Sequence, residues 1–224
     1  MYYIIKESLD NIIIGTDYPQ AYKYIKGYSP KDIHAIFELY EYVTEFPNFT
    51  PNLSGIMLSG RAKLTDFVSN PFGSIIISPK GKNVFEKFNL CSHRFYNMTL
   101  HVRKIPYEYY WMHIISDYSD FVDYKASSFI ERNSYRALGS VFVESKDGML
   151  QKRDEILHRN KGTTINLWAD KIVMNSGFNK NLDLFEISLI DANLYVSERL
   201  KDEIIKNDLT GYEFIPANKL SLSN

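Results

Sequence analysis

Two short runs rich in β-branched residues open the hydrophobic pattern of the chain. Met1–Ile5 and Asn11–Ile14 both contain consecutive isoleucines. Such residues favour an extended backbone, because a branched side chain packs well on a pleated surface. The two runs therefore predict a strand pair, or one strand and its extension.

The clearest helix signal of the first quarter begins at Ser29. This serine can cap a helix, Pro30 suits the first helical position, and Asp32 completes an approximate capping box. Apolar residues then recur with helical spacing, at Ile33, Ile36, Phe37 and Tyr40. We predict a helix that buries this face and ends before Pro47, followed by a connection over residues 47–59.

After this connection, short strands alternate with short helices. Ser74–Ile77 is a β-branched run, and Ser78 with the proline after it begins a predicted helix. Phe95–Val102 and Tyr109–Ser116 predict an antiparallel hairpin, whose turn we place around Pro106. The centre of the hairpin is apolar and aromatic, so at least one of its faces should be covered.

The second half of the chain continues the alternation. A strand is predicted at Leu138–Glu144, and Lys146–Gly148 is typical of the turn after it. Two further strands are predicted at Lys171–Asn175 and Leu184–Leu189. The last elements are an extended segment at 193–196, a helix capped by Ser197, a turn at Gly211 and a strand at 212–215.

An internal repeat appears when the sequence is compared with itself at an offset of 119 residues. The match needs no gap, and its pairs are Ser78 and Ser197, Lys80 and Arg199, Lys82 and Lys201, Phe85 and Ile204, Lys87 and Lys206, Leu90 and Leu209, and Phe95 and Phe214. Coincidence is the alternative, because serine-capped amphipathic helices are common. A single β-α-β unit cannot cover both of its own faces, so two copies should pair or pack together.

These patterns predict an α+β fold in one compact domain over residues 1–224. Two related β-α-β units, at about residues 64–116 and 183–216, would form its body with the antiparallel aromatic hairpin. An amino-terminal strand and helix segment would precede them.

The composition excludes several classes of function. Of the 224 residues, 45% are hydrophobic and 24% charged, and the net charge of -1 leaves no broad basic surface for non-specific nucleic-acid binding. The apolar runs are too short to span a membrane, and no basic segment followed by a long apolar stretch indicates secretion. Cys91 is the single cysteine, so no internal disulfide can form. We therefore predict a cytoplasmic protein.

The aromatic content of 15%, with 17 tyrosines, allows two interpretations. Tyrosine is enriched at recognition surfaces, whereas abundant Lys, Asn, Ile, Tyr and Phe also result from codon use in an A/T-rich genome. Many aromatic residues fall inside predicted elements. The tyrosines outside the repeat, Tyr18, Tyr22, Tyr24 and Tyr28, are where we would first look for a partner.

The carboxy-terminal part of the chain carries a recognisable run of residues. Tyr195–Ile204 reads Tyr-Val-Ser-Glu-Arg-Leu-Lys-Asp-Glu-Ile, and Asp208–Phe214 closes it with Asp-Leu-Thr-Gly-Tyr-Glu-Phe. This run resembles the carboxy-terminal signature of the eleventh immunity-protein family of bacterial polymorphic toxin systems. Asp183–Ile187 resembles the strand that usually precedes that signature.

The resemblance covers about residues 64–216. Tyr109–His113, with Asp123 and Ser127, resembles the central aromatic hairpin of the family, whereas Glu186 stands where a basic residue is frequent. The resemblance implies a cytoplasmic, antitoxin-like protein that binds a co-encoded toxin domain and blocks it. It implies no catalytic residues, because such families have none established.

A second hypothesis is a small hydrolase or nucleotide-processing enzyme. His101 and His113 both lie on the predicted hairpin, and two imidazoles near carboxylates could act as a general acid and base. Two idle histidines within the sheet are the alternative. The basic residues Arg94, Arg103 and Lys104 bracket the aromatic pair Phe95-Tyr96. If the sheet were exposed, these aromatic residues could stack single-stranded bases, which would make the protein a nucleic-acid or small-ligand binding module.

Other chemistry finds little support. Asp117, Asp120 and Asp123 recur every third residue, but an extended backbone would point them to different faces, so we interpret them as a solvated loop. Cys91 has only His93 nearby to activate it. Histidine and cysteine pairs with zinc spacing and glycine-rich phosphate loops are absent from the sequence. We predict no catalytic, cofactor or metal residues, and a non-enzymatic immunity protein as the leading hypothesis.

Overall fold

The computed structural model describes residues 1–223, which form strands, α-helices and two 3-10 helices. The strands are β1 (Tyr2–Glu7), β2 (Ala21–Tyr24), β3 (Ile56–Leu58), β4 (Phe67–Val68), β5 (Ile75–Ile77), β6 (His93–Val102), β7 (Ile105–Ile114), β8 (Ser128–Arg132), β9 (Ala137–Val141), β10 (Asn166–Met174), β11 (Leu184–Ile187), β12 (Asp191–Ser197), β13 (Tyr212–Pro216) and β14 (Leu220–Leu222). The helices are α1 (Asn11–Ile14), α2 (Pro79–Phe85), α3 (Lys146–Arg159) and α4 (Glu198–Lys206), with 3-10 turns at Ile36–Glu41 and Ser119–Phe121. This mixture confirms the predicted α+β fold class.

β1 is an interior strand of a four-stranded sheet in the order β11-β12-β1-β13, and all neighbours are antiparallel. The predicted strand at residues 1–5 is confirmed. The prediction for Asn11–Ile14 was wrong, since these residues form the short helix α1. The Asp10 carboxylate caps it by accepting a hydrogen bond from the Ile12 N–H at 2.8 Å.

The predicted aromatic hairpin is confirmed by β6 and β7, which lie inside a six-stranded sheet in the order β2-β3-β6-β7-β5-β4. Its turn consists of Arg103 and Lys104, which have positive φ angles of 48° and 74°. Such a two-residue turn matches the twist of the two strands. Our placement of the turn was wrong, because Pro106 lies inside β7 opposite His101.

The third sheet has the order β14-β10-β8-β9, and α3 packs against β10. The strand predicted at Leu138–Glu144 overlaps β9. The turn predicted at Lys146–Gly148 was wrong, since these residues are the first turn of α3. The Ser145 hydroxyl accepts a hydrogen bond from the Gly148 N–H at 3.1 Å and caps that helix.

The helix predicted from Ser29 is wrong for most of its length. Only Ile36–Glu41 is helical, as a 3-10 turn, and His34 before it has a φ angle of 63°. Ile36 is buried, whereas Ile33 and Tyr40 are exposed, so the apolar spacing does not produce one buried face. A left-handed residue interrupts a right-handed helix, which explains the short element.

Two parts of the structure have the same strand order. The series β4-β5-β7-β6 matches β11-β12-β1-β13, and in each the helix α2 or α4 follows the second strand. The registers also agree at the repeat offset: Ile77 pairs with Tyr110, and Val196 pairs with Tyr3. Phe95 and Phe214 are also equivalent at this offset, and they pair with Met112 and Ile5, respectively. β1 therefore takes the place in the second unit that β7 takes in the first.

Each unit begins its helix with the same pair of side chains. Ser78 caps α2, and its hydroxyl donates to Asp66 Oδ1 at 2.7 Å. Ser197 caps α4, and its hydroxyl donates to Asp183 Oδ1 at 2.5 Å. The carboxylates thereby orient both capping hydroxyls, which connects β4 and β11 to the helices of their own units.

The two units also bind each other through these aspartates. Asp66 Oδ2 accepts the Thr210 N–H at 2.9 Å, and Asp183 Oδ2 accepts the Asn89 N–H at 3.0 Å. Each donor lies in the turn after the helix of the other unit, and Gly211, with φ 96°, completes the second turn as predicted. α2 and α4 pack against each other across this junction.

Three groups of buried side chains form the interior. One group, with Phe185 and Tyr195, joins the third sheet to the first. Another, with Trp111, fills the side of the hairpin that residues 36–58 cover. The last, with Phe85 and Leu200, lies between the two units. Among residues 1–223, none of the helices is long and apolar enough to cross a membrane.

Candidate functional site

A cleft of about 980 Å³ opens where the two units meet. β7 extends past β5 at this point, and β12, the segment 39–44 and α3 supply the other walls. The ionisable side chains that line the cleft are Glu7, His113, Asp117, Arg153 and Glu186. Apolar, aromatic and uncharged polar residues, among them Asn70, Ser116 and Ser188, cover the remaining surface.

His113 lies in the wall of the cleft. Its Nε2 donates to the Tyr42 carbonyl at 2.7 Å, and its buried Nδ1 has no hydrogen-bond partner among residues 1–223. Burial lowers the pKa of His113 and the Arg94 guanidinium lowers it further, while the bond to Tyr42 opposes both effects. The rings of Phe46 and Tyr96 pack around the imidazole.

His101 lies on the other face of the hairpin. Side chains of paired residues share one face of a sheet, and faces alternate along each strand. Because His113 pairs with Arg94 and His101 pairs with Pro106, the two imidazoles point to opposite faces. His101 Nε2 contacts the Ser54 carbonyl instead, at 2.8 Å. The hypothesis of a hydrolase that uses both histidines was therefore wrong.

Two half-buried carboxylates occupy the cleft. Burial raises the pKa of Glu186, and its contact with the Ser188 hydroxyl at 3.3 Å opposes this only in part. Burial also raises the pKa of Glu7, which accepts hydrogen bonds from the Asn70 N–H at 2.9 Å and the Tyr18 hydroxyl at 3.0 Å. Within residues 1–223, neither carboxylate lies in an ion pair.

Replacing Glu186 with glutamine is expected to raise the free energy of unfolding at pH 7 by about 1 kcal/mol, since it removes a desolvated charge and keeps the shape. The folded state raises the pKa of this carboxyl. The charged form therefore costs stability above the folded-state pKa, and this cost disappears below the unfolded value of about 4.3. Urea denaturation should show a gain at about pH 7 that shrinks towards about pH 4.

Glu45→Gln is the matched control, because Glu45 is exposed and its charge is already solvated. We expect no change in its unfolding free energy at either pH. A Glu186→Gln variant less stable than the wild type at pH 7 would contradict the assignment of an unpaired, desolvated carboxylate.

The aspartates of the 117–123 segment do not converge on a metal site. Asp117 and Asp120 both contact the Lys146 ammonium, at 3.4 and 3.0 Å. Asp123 accepts the Ala126 N–H at 3.0 Å. The part of the chain that the structure describes has no group of three His, Cys, Asp or Glu side chains placed to hold a metal ion.

Cys91 is a buried thiol. Burial raises its pKa to about 12, although a hydrogen bond from Ser116 opposes the shift. His93 does not activate it, because its Nδ1 contacts the Cys91 carbonyl at 2.8 Å. The thiol therefore stays protonated near neutral pH.

The aromatic residues of β6 do not form an open stacking platform. Phe95 and Tyr96 are neighbours in a strand and so point to opposite faces. Phe95 lies near the Lys82 ammonium of α2, whereas Tyr96 packs near the imidazole in the cleft wall. Arg94 stacks over the Phe46 ring with 4.5 Å to its centroid. The base-stacking hypothesis for this segment was therefore wrong.

The four tyrosines outside the repeat divide into two pairs. Tyr24 and Tyr28 pack on each other with 5.5 Å between ring centroids, and the Tyr28 hydroxyl donates to the Asn52 carbonyl at 2.8 Å. Tyr18 and Tyr22 are exposed. Only the second pair is free for contact with a partner.

Sequence reasoning missed one exposed element, the hairpin of β8 and β9. Tyr135 in its turn is 92% exposed and Phe142 just after β9 is 74% exposed. Residues 134–140 are all exposed, although Leu138–Glu144 is typical of a strand. The available signal was the lack of any charged residue from Ala137 to Val143, which is unusual for a solvated edge.

Residues 1–223 form a mixed α+β fold with a cleft between its two units and several separately exposed aromatic side chains, including Tyr135, Phe142 and Trp168. A family model described as Immunity protein family (Imm11) matches residues 16–219. The chain belongs to this family. The match confirms the resemblance on the carboxy-terminal signature and extends it to most of the first 60 residues. A search of curated proteins gave no match.

Proposed function

We propose that the protein is a non-enzymatic immunity protein that binds a co-encoded toxin domain and blocks it. The observation that carries the proposal is the match to an immunity-protein family over residues 16–219. It acts in the bacterial cytoplasm, where a producing cell needs protection from its own toxin and from that of its neighbours.

The dispersed chemistry of the chain supports binding rather than catalysis. His101 and His113 lie on opposite faces of the hairpin, and Cys91 is a buried thiol. Neutralisation by binding needs a rigid scaffold and a contact of about 800 Å² on each partner. Its energy would come mainly from a few aromatic and arginine anchors.

Co-expression tests the proposal directly. The toxic domain encoded by the neighbouring gene is produced in bacteria with the protein or with an empty vector. In a third strain, an unrelated toxin replaces the toxic domain and is produced with the protein. We expect growth only when the protein meets its own toxin, and co-purification of the two chains in a 1:1 complex. Survival without a complex would contradict the proposal.

Recovery of the toxin separates binding from chemical inactivation. Toxin released from the complex by denaturation and refolded alone should regain full activity and have an unchanged mass. The activity should also fall linearly with added protein until the two are equimolar. Substoichiometric, permanent loss of activity would instead indicate an enzyme.

A further inference from the structure

Within residues 1–223, β9 differs from every other edge strand. It pairs with β8 only, with Phe129 opposite Val141 and Ile130 opposite Ser140. Alternate residues of an edge strand direct their N–H and C=O groups away from the neighbour. Between residues 137 and 144 none of these outward groups has a backbone or side-chain partner within residues 1–223. The strand therefore presents a free row of hydrogen-bonding groups.

Three edge strands of the other two sheets are covered. β11 is bridged by Leu90 and Asp117, and β4 by the Thr210 carbonyl, which accepts the Phe67 N–H at 2.9 Å. β2 bonds through the Ala21 N–H to the Ser69 carbonyl and carries charged Lys23.

The remaining two edge strands, β13 and β14, are protected by a charge and a proline or by their short length. β13 carries Glu213 and ends at Pro216, which has no N–H to offer. β14 has three residues, and the Ser223 carbonyl after it accepts a bond from the Lys180 ammonium at 2.7 Å. Proteins normally protect edges by such means, because a bare edge pairs with other chains.

β9 lacks the charges, the proline and the bridging partners of the other edges, although a register shift between Ala137 and Gly139 interrupts its regular pairing at Leu138. The run from Ala137 to Val143 contains no charge and no proline, and its side chains are small or apolar. Leu138 is 40% exposed, and a Cβ added at Gly139 would meet no atom within 4 Å. The buried Val143 anchors the strand just beyond its end, so the bare edge is held in place.

The surroundings of the edge indicate the chemistry of its partner. Arg132 stacks over Trp168 with 5.6 Å to the ring centroid, and Trp168 lies in one row across the sheet with Ile130 and Ser140. Within residues 1–223, neither Arg132 nor Arg136 at the hairpin turn lies in an ion pair. An extended segment would therefore fit beside β9 if its apolar side chains packed next to the row of Trp168, Ile130 and Ser140. Its carboxylates would lie near Arg132 and Arg136.

We infer that β9 is the docking edge for the toxin, which adds a strand of its own to the sheet β14-β10-β8-β9. The inference rests on the proposed function. The strand that the toxin contributes is apolar at alternate positions and carries acidic residues at the end that contacts Arg132 and Arg136. Backbone hydrogen bonds hold it, and the aromatic and arginine side chains select it.

The test uses the full-length protein and the purified toxin domain of the neighbouring gene. Leu138→Lys with Ser140→Lys places charges on the exposed edge, as natural edge strands do. We expect the dissociation constant to rise about 100-fold and growth protection to be lost. Ile205→Lys is the matched control, since Ile205 is 54% exposed on α4, which packs against α2, β1 and β12. It should leave affinity and protection unchanged.

Two further measurements keep the test independent of folding. Arg136→Glu should weaken binding about 10-fold, while Arg136→Lys should keep most of it, because the charge alone is needed. Amide hydrogen exchange of the wild-type protein should slow at residues 137–143 when toxin is added. Neither measurement requires a substitution within β9.

Distinct results overturn the inference and the proposed function. If the wild type fails to protect cells, the proposed function fails. If it protects, but the lysine variant binds with unchanged affinity and residues 137–143 exchange at an unchanged rate, the docking edge is wrong. A wild-type dimer that the lysine variant dissociates without any effect on toxin affinity would assign the edge to a second copy of the chain, and would also overturn the inference.

Discussion

Replacing Asp183 with alanine is expected to lower the free energy of unfolding by about 3 kcal/mol. Asp183 is 1% exposed and accepts bonds from the Ser197 hydroxyl, the Asn89 N–H and both Nε and a terminal nitrogen of Arg199. Alanine would leave the capping hydroxyl and the N–H without their acceptor in a buried place. Urea denaturation measures the loss as a lower midpoint with an unchanged slope.

Asp66→Ala is the matched control within the same chain. Asp66 occupies the equivalent place in the other unit and accepts bonds from Ser78 and Thr210, but it is half-exposed. Water can replace the missing carboxylate there, so we expect a loss of about 1 kcal/mol. Equal losses at Asp66 and Asp183 would show that burial does not decide the cost.

Removing residues 1–8 is expected to prevent folding altogether. β1 pairs with β12 on one side and with β13 on the other, so its loss leaves two strands without a neighbour and opens the interior around Val196. Because a domain of ordinary stability is folded by only about 5–15 kcal/mol, we expect the loss of an interior strand to exceed that stability. Circular dichroism and resistance to proteolysis would report the unfolded chain.

Removal of residues 220–224 provides the comparison. β14 is a three-residue edge strand that pairs only with β10. The shortened protein should melt cooperatively, a few degrees below the wild type at most. A cooperative melt after removal of residues 1–8 would contradict the central position of β1.

Local chemistry made part of the fold predictable. Ser78 and Ser197 are strong caps followed by amphipathic helices, and both α2 and α4 begin where the sequence indicates. These features depend on neighbouring residues, so they need no knowledge of distant contacts.

A serine cap alone did not make the other helices predictable. α3 buries only Met149 and Ile156, so its apolar period is weak and its first turn was interpreted as a hairpin turn. After Ser29 the apolar period is strong, but Ile33 meets no buried surface and His34 turns the backbone away. Tertiary contacts decide such cases.

The separation of the two hairpin histidines depends on one residue of register. With the turn at Arg103 and Lys104, His113 lies opposite Arg94 and on the other face from His101. A turn one residue longer would have placed both imidazoles on one face. The sequence does not fix the length of the turn, so the register of the hairpin and the relative faces of the two histidines could not be predicted.

The cleft and the docking edge lay beyond sequence reasoning for a different reason. The cleft joins Glu7 with Glu186, and the bare edge is recognised only when every other edge is seen to be covered. Both are properties of the assembled sheets. The organisation of residues 1–224 as one domain stays a prediction.

The place of β1 sets the order in which the protein can assemble on the ribosome. Tyr3 meets Glu198 across 195 positions, and Ser8 meets Glu213 across 205. β1 is synthesised before β12 and β13 and therefore stays unpaired until both of these strands have left the ribosome. Under the proposed function, protection would begin only after synthesis has passed β13, because β1 cannot complete its sheet before then.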